Sequence, residues 1–254
     1  MEKLYLVLFF ILGSVMGSFY HVLATRLSKG LSIITPASHC EKCKHELKWY
    51  ELIPIISYII QGGKCRECKE KLPISYLLIE VCSGLLFAVC YHVFDLTYDL
   101  LIALVFVSSL IIIIISDIEY MIILDEVLIF AILAIIVIDL ISIGLYKTSI
   151  NIIAGTGAFI TMYLIKKLGD LIFKQESLGG GDIKLMFLVG LVIGYPMSVC
   201  NIFFATFIAF PIALFLLISK KDNIIPFGPF LSMAAIILYI WGLTFTDIIN
   251  FIIH

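Results

Sequence analysis

Residues 99–117 read DLLIALVFVSSLIIIIISD, an apolar run that closes on Ser116-Asp117. An apolar stretch of roughly 17–25 residues is long enough to cross a bilayer as a helix. The aspartate at its end is the informative residue, because ionisable groups at membrane depth are costly and mark function. A mirror pattern occurs at Gly179-Gly180-Gly181-Asp182-Ile183-Lys184, where a glycine run and an acid lead into another apolar stretch. Working outward, spanning segments read as 4–22, 75–94, 99–116, 127–145, 149–168, 183–199, 200–218 and 229–247. Only Tyr195-Pro196 and Asn201 signal a turn between the sixth and seventh.

Composition agrees. The 254 residues are 62% hydrophobic and 14% charged, whereas soluble domains are about half apolar and a quarter charged. The sequence therefore predicts an all-α, polytopic membrane bundle of about eight transmembrane helices. The first span lacks a basic n-region and a small-residue cleavage site, so it reads as a retained helix rather than a cleaved signal. A net charge of -2 says nothing of partners. The lipid bilayer is the expected surrounding, and no nucleic-acid partner is expected.

Lysine and arginine set the orientation. Placing the loop after the first span inside puts 15 of the 17 basic residues inside, with Lys3 and Lys147 the exceptions. Asp117 and Asp182 then reach the same, cytoplasmic, face. Two carboxylates that meet at one face form an acid/base pair able to activate water for hydrolysis. Two close carboxyls cannot both ionise cheaply, so they share a proton and supply both roles. The glycine run before Asp182 lets backbone approach a neighbouring span or an extended substrate; the competing reading is a linker ending in an ordinary helix N-cap aspartate. Asp125 is a second candidate for the catalytic role, or a cap on the following span. Lys184 either stabilises negative charge or marks the inner face, and Glu80 is an intramembrane carboxylate with a bundle hydrogen bond or a role near a site.

Residues 23–73 form the one long polar loop. It carries Cys40-Glu41-Lys42-Cys43 and Cys65-Arg66-Glu67-Cys68, two C-x2-C knuckles 21 residues apart. Four thiolates in pairs suit a structural zinc ion, and in a reducing compartment such a set favours metal over disulfides. A redox pair or free thiols is the other reading. His39 and His45 are read as solvated neighbours, and Cys82, Cys90 and Cys200 as small hydrophobes within spans.

The order of these motifs resembles the type IV prepilin peptidases. Gly17-Ser18-Phe19-Tyr20-His21-Val22 with Arg26 is similar to that family's GSFxNVxxxR opening, and the knuckles flanking Trp49-Tyr50-Glu51-Leu52-Ile53-Pro54 match its loop. Ser116-Asp117 with Leu124-Asp125 resembles its [IS]D-x6-PD stretch, and residues 179–184 fit its GxGDxK motif. His21 departs from asparagine, Leu124 from proline, and Ser75-Tyr76-Leu77 from arginine-tyrosine-proline. The resemblance implies a membrane aspartyl endopeptidase, with Asp117 and Asp182 catalytic, that cleaves the leaders of prepilin or pseudopilin precursors. It also implies N-methylation of the new terminus with S-adenosyl-L-methionine as methyl donor, zinc (Zn2+) on Cys40, Cys43, Cys65 and Cys68, and Gly63 and Lys64 in the methylation function. The division that follows is an N-terminal region, 1–94, holding the loop and the methyltransferase function, and a six-helix peptidase region, 95–254. The bacterial cytoplasmic membrane is the implied location. A peptidase without methylation, a proton-coupled transporter and a zinc-module scaffold are the alternatives.

Overall fold

The computed structural model describes residues 2–40, 42–218, 226–243 and 245. Lys220, Lys221 and the end of the predicted eighth span lie outside these. Among the described residues there is no strand, only the isolated antiparallel bridges His39–Glu46 and Lys64–Lys71. The chain separates into two compact units, Met1–Leu100 and Leu101–His254.

In the first unit, α1 (Glu2–Ser28) and α3 (Ile74–Phe94) pack along much of their length. Lipid tails are as apolar as leucine, so such helices associate through close packing of small residues. Gly13 and Gly17, one turn apart on α1, serve that purpose. A Cβ on Gly13 would lie 2.4 Å from the Ser83 carbonyl oxygen, and one on Gly17 would lie 2.8 Å from Ser83 Oγ. Helix α1 runs six residues past the predicted span end at 22. Arg26, in its last turn, donates from Nη1 to the carbonyls of Ser32 and Ile33 at 3.2 and 3.4 Å, tying the outgoing chain to the helix end. The intervening loop holds a 3-10 turn (Trp49–Glu51) and a short α2 (Ile56–Ile60).

Helix α4 (Tyr98–Tyr120) crosses the division and continues in the second unit with α5 (Asp125–Ser142), α6 (Gly144–Phe173), α7 (Gly180–Ile193), α8 (Tyr195–Ile218) and α9 (Gly228–Ile240). Each predicted span thus has its helix. Among the described residues five helices, α1, α3, α4, α6 and α8, are long and apolar enough to cross a membrane. The others fall short for local reasons. Helix α5 carries Asp125, Glu126 and Asp139, and α7 has only 14 residues. Helix α7 is apolar and largely buried on all sides, as befits a central helix. It packs against α5, α6, α8 and α9.

The break between the sixth and seventh spans differs from expectation. It falls at Gly194, not between residues 199 and 200. Gly194 takes φ +80, a backbone conformation that ends a helix without a Cβ penalty, and Pro196 sits in the first turn of α8, where its missing N–H costs nothing. Asn201, expected to mark a turn, is instead a buried brace. Its Nδ2 donates to the Leu231 carbonyl of α9 at 3.3 Å and lies 3.9 Å from Met186 Sδ of α7. A second buried polar pair joins α5 to α6, Asn151 Nδ2 donating to Asp139 Oδ2 at 2.9 Å.

Candidate active site and metal centre

Asp117 lies in the last turn of α4. The turn is ended by Met121, whose φ of +55 turns the chain out of the helix while its N–H still reaches the Asp117 carbonyl at 3.0 Å. Asp182 is the third residue of α7. Gly179, extended at φ -67 and ψ 146, is the N-cap, so Asp182 occupies the position from which a side chain reaches back to the N-cap amide. Its carboxylate does face the Gly179 backbone, and the positive end of the helix dipole favours an acid there. The aspartate is therefore not the cap itself, and its other oxygen is left for different work.

Both aspartates are 6% exposed and line one cavity of about 380 Å³ with Met121, Ile123, Ser177 and Phe227. They lie within electrostatic reach of each other. Asp182 Oδ1 is buried with no protein hydrogen-bond partner. The Gly228 backbone at the start of α9 faces the Asp117 carboxylate. Here the absence of a side chain is decisive, since a Cβ on Gly228 would sit 2.5 Å from Asp117 Oδ2 and 3.0 Å from Ile123 Cδ1. A Cβ on Gly181 would sit 2.7 Å from Ile123 Cβ, whereas one on Gly180 would meet nothing within 4 Å. Sequence reading passed over Gly228 and Ile123. The Pro226-Phe227-Gly228-Pro229 cluster was the available signal for the first.

Asp125 does not line this cavity. It is the first residue of α5 and forms an ion pair with Lys184, whose Nζ is 2.8 and 2.7 Å from its two oxygens, both side chains being 52% exposed. Lys184 is thereby engaged away from the aspartate pair. Leu124, the N-cap of α5, has φ -75 and ψ 113, values a proline would also adopt.

In the loop, the two knuckles fold alike. The N–H of Cys40 donates to the His45 carbonyl at 2.9 Å and that of Cys65 to the Glu70 carbonyl at 2.8 Å. Lys44 and Lys69, each directly after the second cysteine of its knuckle, take φ +60 and +58. An ion pair between Lys42 and Glu70 links one knuckle to the other. The four Sγ atoms lie within 4.8 Å of one another, with Cys40–Cys68 and Cys43–Cys65 each at 3.8 Å. A tetrahedron with Zn–S bonds of about 2.3 Å has edges of about 3.8 Å, so the thiols fit the ion. The backbone amides of Cys43 and Lys42 lower the Cys40 thiol to about 6, towards the thiolate a metal requires. His39 Nδ1 contacts the Ala37 carbonyl at 3.0 Å and His45 Nε2 lies 3.3 Å from Glu51 Oε2, so neither histidine is needed as a ligand.

Gly63 takes φ +65, and a Cβ there would press on the Tyr58 ring at 3.0–3.2 Å. Lys64 is held in the bridge to Lys71. His21 and Tyr76, at or beside two of the departures noted above, are in contact, their ring centroids 4.3 Å apart.

Residues 11–94 match the model of the bacterial peptidase A24 N-terminal domain, and residues 104–214 match the type IV leader peptidase family. A prepilin leader peptidase/N-methyltransferase of Bacillus subtilis is 34% identical over 236 residues, 92% of this chain and 93% of that protein. Proteins of the same name from Myxococcus xanthus and Vibrio cholerae are 33% and 29% identical, covering 74% and 94% of this chain and 56% and 98% of their own lengths. No solved structure matches. The chain belongs to the type IV leader peptidase family.

Proposed function

We propose that this chain removes the leader from prepilin-like proteins with Asp117 and Asp182 as its catalytic pair, and then methylates the amino terminus so exposed. The observation that carries the cleavage reading is the meeting of two buried carboxyls from α4 and α7 in one cavity. Peptide hydrolysis needs a base to take a proton from water and an acid to give one to the leaving amine. One carboxylate and one carboxylic acid supply both: the ionised member deprotonates the water as it attacks the scissile carbonyl, and the protonated member donates to the departing nitrogen. Titration belongs to the pair rather than to either member. Gly228 keeps space against the Asp117 carboxyl and Gly181 against Ile123, and the extended Gly179 backbone borders the same cavity.

The lysine and arginine distribution supports a reading in which this cavity and the knuckle loop face the cytoplasm from a bacterial cytoplasmic membrane. Zinc on Cys40, Cys43, Cys65 and Cys68 holds the loop together and takes no part in hydrolysis. S-adenosylmethionine supplies the methyl group. Region 1–94 then serves methylation and region 95–254 serves cleavage.

Replacing Asp117 or Asp182 by asparagine tests the assignment. Each change removes an ionisable carboxyl with little change of shape, so loss of rate reports chemistry. Purified variants incubated with a prepilin peptide should yield no cleaved product by mass spectrometry while remaining inserted and zinc-loaded. Cleavage by either variant at more than a few per cent of the normal rate would sink the pair.

A further inference from the structure

The first unit encloses a second cavity that the peptidase chemistry does not use. It is about 500 Å³ and lies under the knuckles, walled by Ser18 of α1, Tyr76 and Glu80 of α3, and Glu51 and Tyr58 of the loop. That volume is in the range of small-molecule sites. Glu51 is only 7% exposed. Its Oε2 accepts from the Lys48 amide at 3.0 Å and lies 3.3 Å from His45 Nε2. Its Oε1 is buried with no protein partner. The Lys48 amide foremost, and His45 beside it, hold the Glu51 carboxyl below its ordinary range, so it is anionic. A buried anion with one oxygen uncompensated is unfavourable unless a cation or donor meets it.

Glu80 forms another part of the same wall. Its Oε2 accepts from the Ile55 amide at 2.7 Å. Ile55 is β-branched yet takes φ 62 and ψ -54, a conformation costing roughly 1–3 kcal/mol and found chiefly where a site demands it. The Glu80 carboxylate thus holds the chain in this costly shape at Ile55, directly ahead of the lining residues Ser57 and Tyr58. An adjoining cavity of about 550 Å³ shares Ser18, Tyr76 and Glu80 but is lined further along by Arg26, Lys29 and Lys44. The first cavity is also lined by Lys71 and by Lys42, which pairs with Glu70, so its carboxylates outnumber its cations by Glu51, Glu70 and Glu80 to Lys42 and Lys71, whereas cations predominate in the second.

We infer that these adjoining cavities are the methyl-donor site, with the Glu51 and Glu80 wall facing the sulfonium of S-adenosylmethionine and the Arg26–Lys44 end facing its carboxylate. The inference extends the methyltransferase reading above and depends on it. The donor carries a sulfonium separated by a short alkyl chain from its amino-acid carboxylate, which matches adjoining cavities with carboxylates in one and Arg26, Lys29 and Lys44 in the other. In the transfer, the amine lone pair of the new terminus forms the N–CH3 bond, the S–CH3 bond breaks, and its electron pair returns to sulfur. The terminal ammonium must first lose a proton, which passes to water. The sulfonium charge disappears in the step, so the thioether product loses its attraction to Glu51 and leaves more readily. Gly63 does not line the cavity, but its bare Cα leaves room for Tyr58, which does.

The test is calorimetric binding of S-adenosylmethionine and of S-adenosylhomocysteine to the full-length, zinc-loaded protein in detergent. Glu51→Gln should weaken S-adenosylmethionine binding tenfold or more and change S-adenosylhomocysteine binding less than threefold, because only the former bears the sulfonium. Ser18→Phe, which fills the shared wall from α1, should abolish binding of both. Equal effects of Glu51→Gln on the two ligands, or none, would overturn the placement. If Glu51→Gln loses its zinc, Ser18→Phe decides alone, and normal donor binding by it overturns the placement. Wild-type protein that methylates a pilin peptide while both variants bind normally refutes this site only. Wild-type protein that neither binds the donor nor methylates refutes the methyltransferase reading itself.

Discussion

Gly228→Ala is the sharpest probe of the aspartate pair, because backbone and side-chain effects point in opposite directions. Gly228 is the first residue of α9 and its φ is not positive. Alanine is therefore conformationally allowed there and is the better helix former. The added methyl, however, would begin 2.5 Å from Asp117 Oδ2. A comfortable carbon–oxygen approach is about 3.3–3.6 Å, so the carboxyl must retreat by roughly 1 Å. A displacement of that size at a reacting group costs on the order of 100-fold in rate. Leader cleavage followed by mass spectrometry should show kcat down by about that factor, with KM and zinc content little changed. Gly180→Ala is the matched control, since its Cβ meets nothing within 4 Å; it should stay within about threefold of wild type. Gly228→Ala at wild-type rate, or Gly180→Ala as damaged as Gly228→Ala, would refute the geometry.

Asp125→Asn should retain most cleavage, because Asp125 pairs with Lys184 at the surface and does not line the cavity; a dead Asp125→Asn beside an active Asp117→Asn would move the catalytic role to Asp125. Elemental analysis should find about one zinc per chain, and Cys65→Ser should lower that content and loosen the loop to proteolysis; fully metallated Cys65→Ser would contradict the four-thiolate site. Gly63→Leu should cost methylation while sparing cleavage, since it is strained by φ +65 and drives a side chain into Tyr58; loss of both activities together would make the loop part of the peptidase. Cleavage should follow a bell-shaped pH profile, as a pair that must hold one proton requires, and a monotonic profile would contradict shared-proton chemistry.

Most of the helices were legible in the sequence because an apolar run bounded by polar residues has few other outcomes at this composition. Where two adjoining runs divide was only half legible: Tyr195-Pro196 marked the break that the structure shows at Gly194, and Asn201 misled. Residues 183–218 are apolar nearly throughout, and Asn201 is the polar residue that breaks the pattern in its middle. Its polarity signalled a turn, yet the structure spends it on a hydrogen bond to Leu231 across the bundle. The true divider, Gly194, acts through backbone conformation and leaves no trace in hydropathy.

The same distinction governs the site. Asp117 and Asp182 stood out because charge is rare at membrane depth, and the cysteines because their spacing encodes a metal geometry. Gly228 and Ile123 did not, because each matters only through what approaches it in space. Glu51 sat unremarked in a Trp-Tyr-Glu-Leu-Ile-Pro string, although an acid among large apolar residues is itself a sign of a partnered or ligand-facing carboxylate. The departures from the family pattern can be read in physical terms. Leu124 stands where proline is usual, but it holds φ -75 as the N-cap of α5, so the usual proline presets a backbone angle rather than supplying chemistry. His21 lies against Tyr76, the retained member of the altered Ser75-Tyr76-Leu77 triplet, so the change at 21 has a packing partner beside it. Both residues line the basic cavity that shares a wall with Glu80. A change there alters the shape of the donor pocket and leaves the aspartate cavity untouched, which is why methylation, and not cleavage, is the activity to measure in any variant at His21.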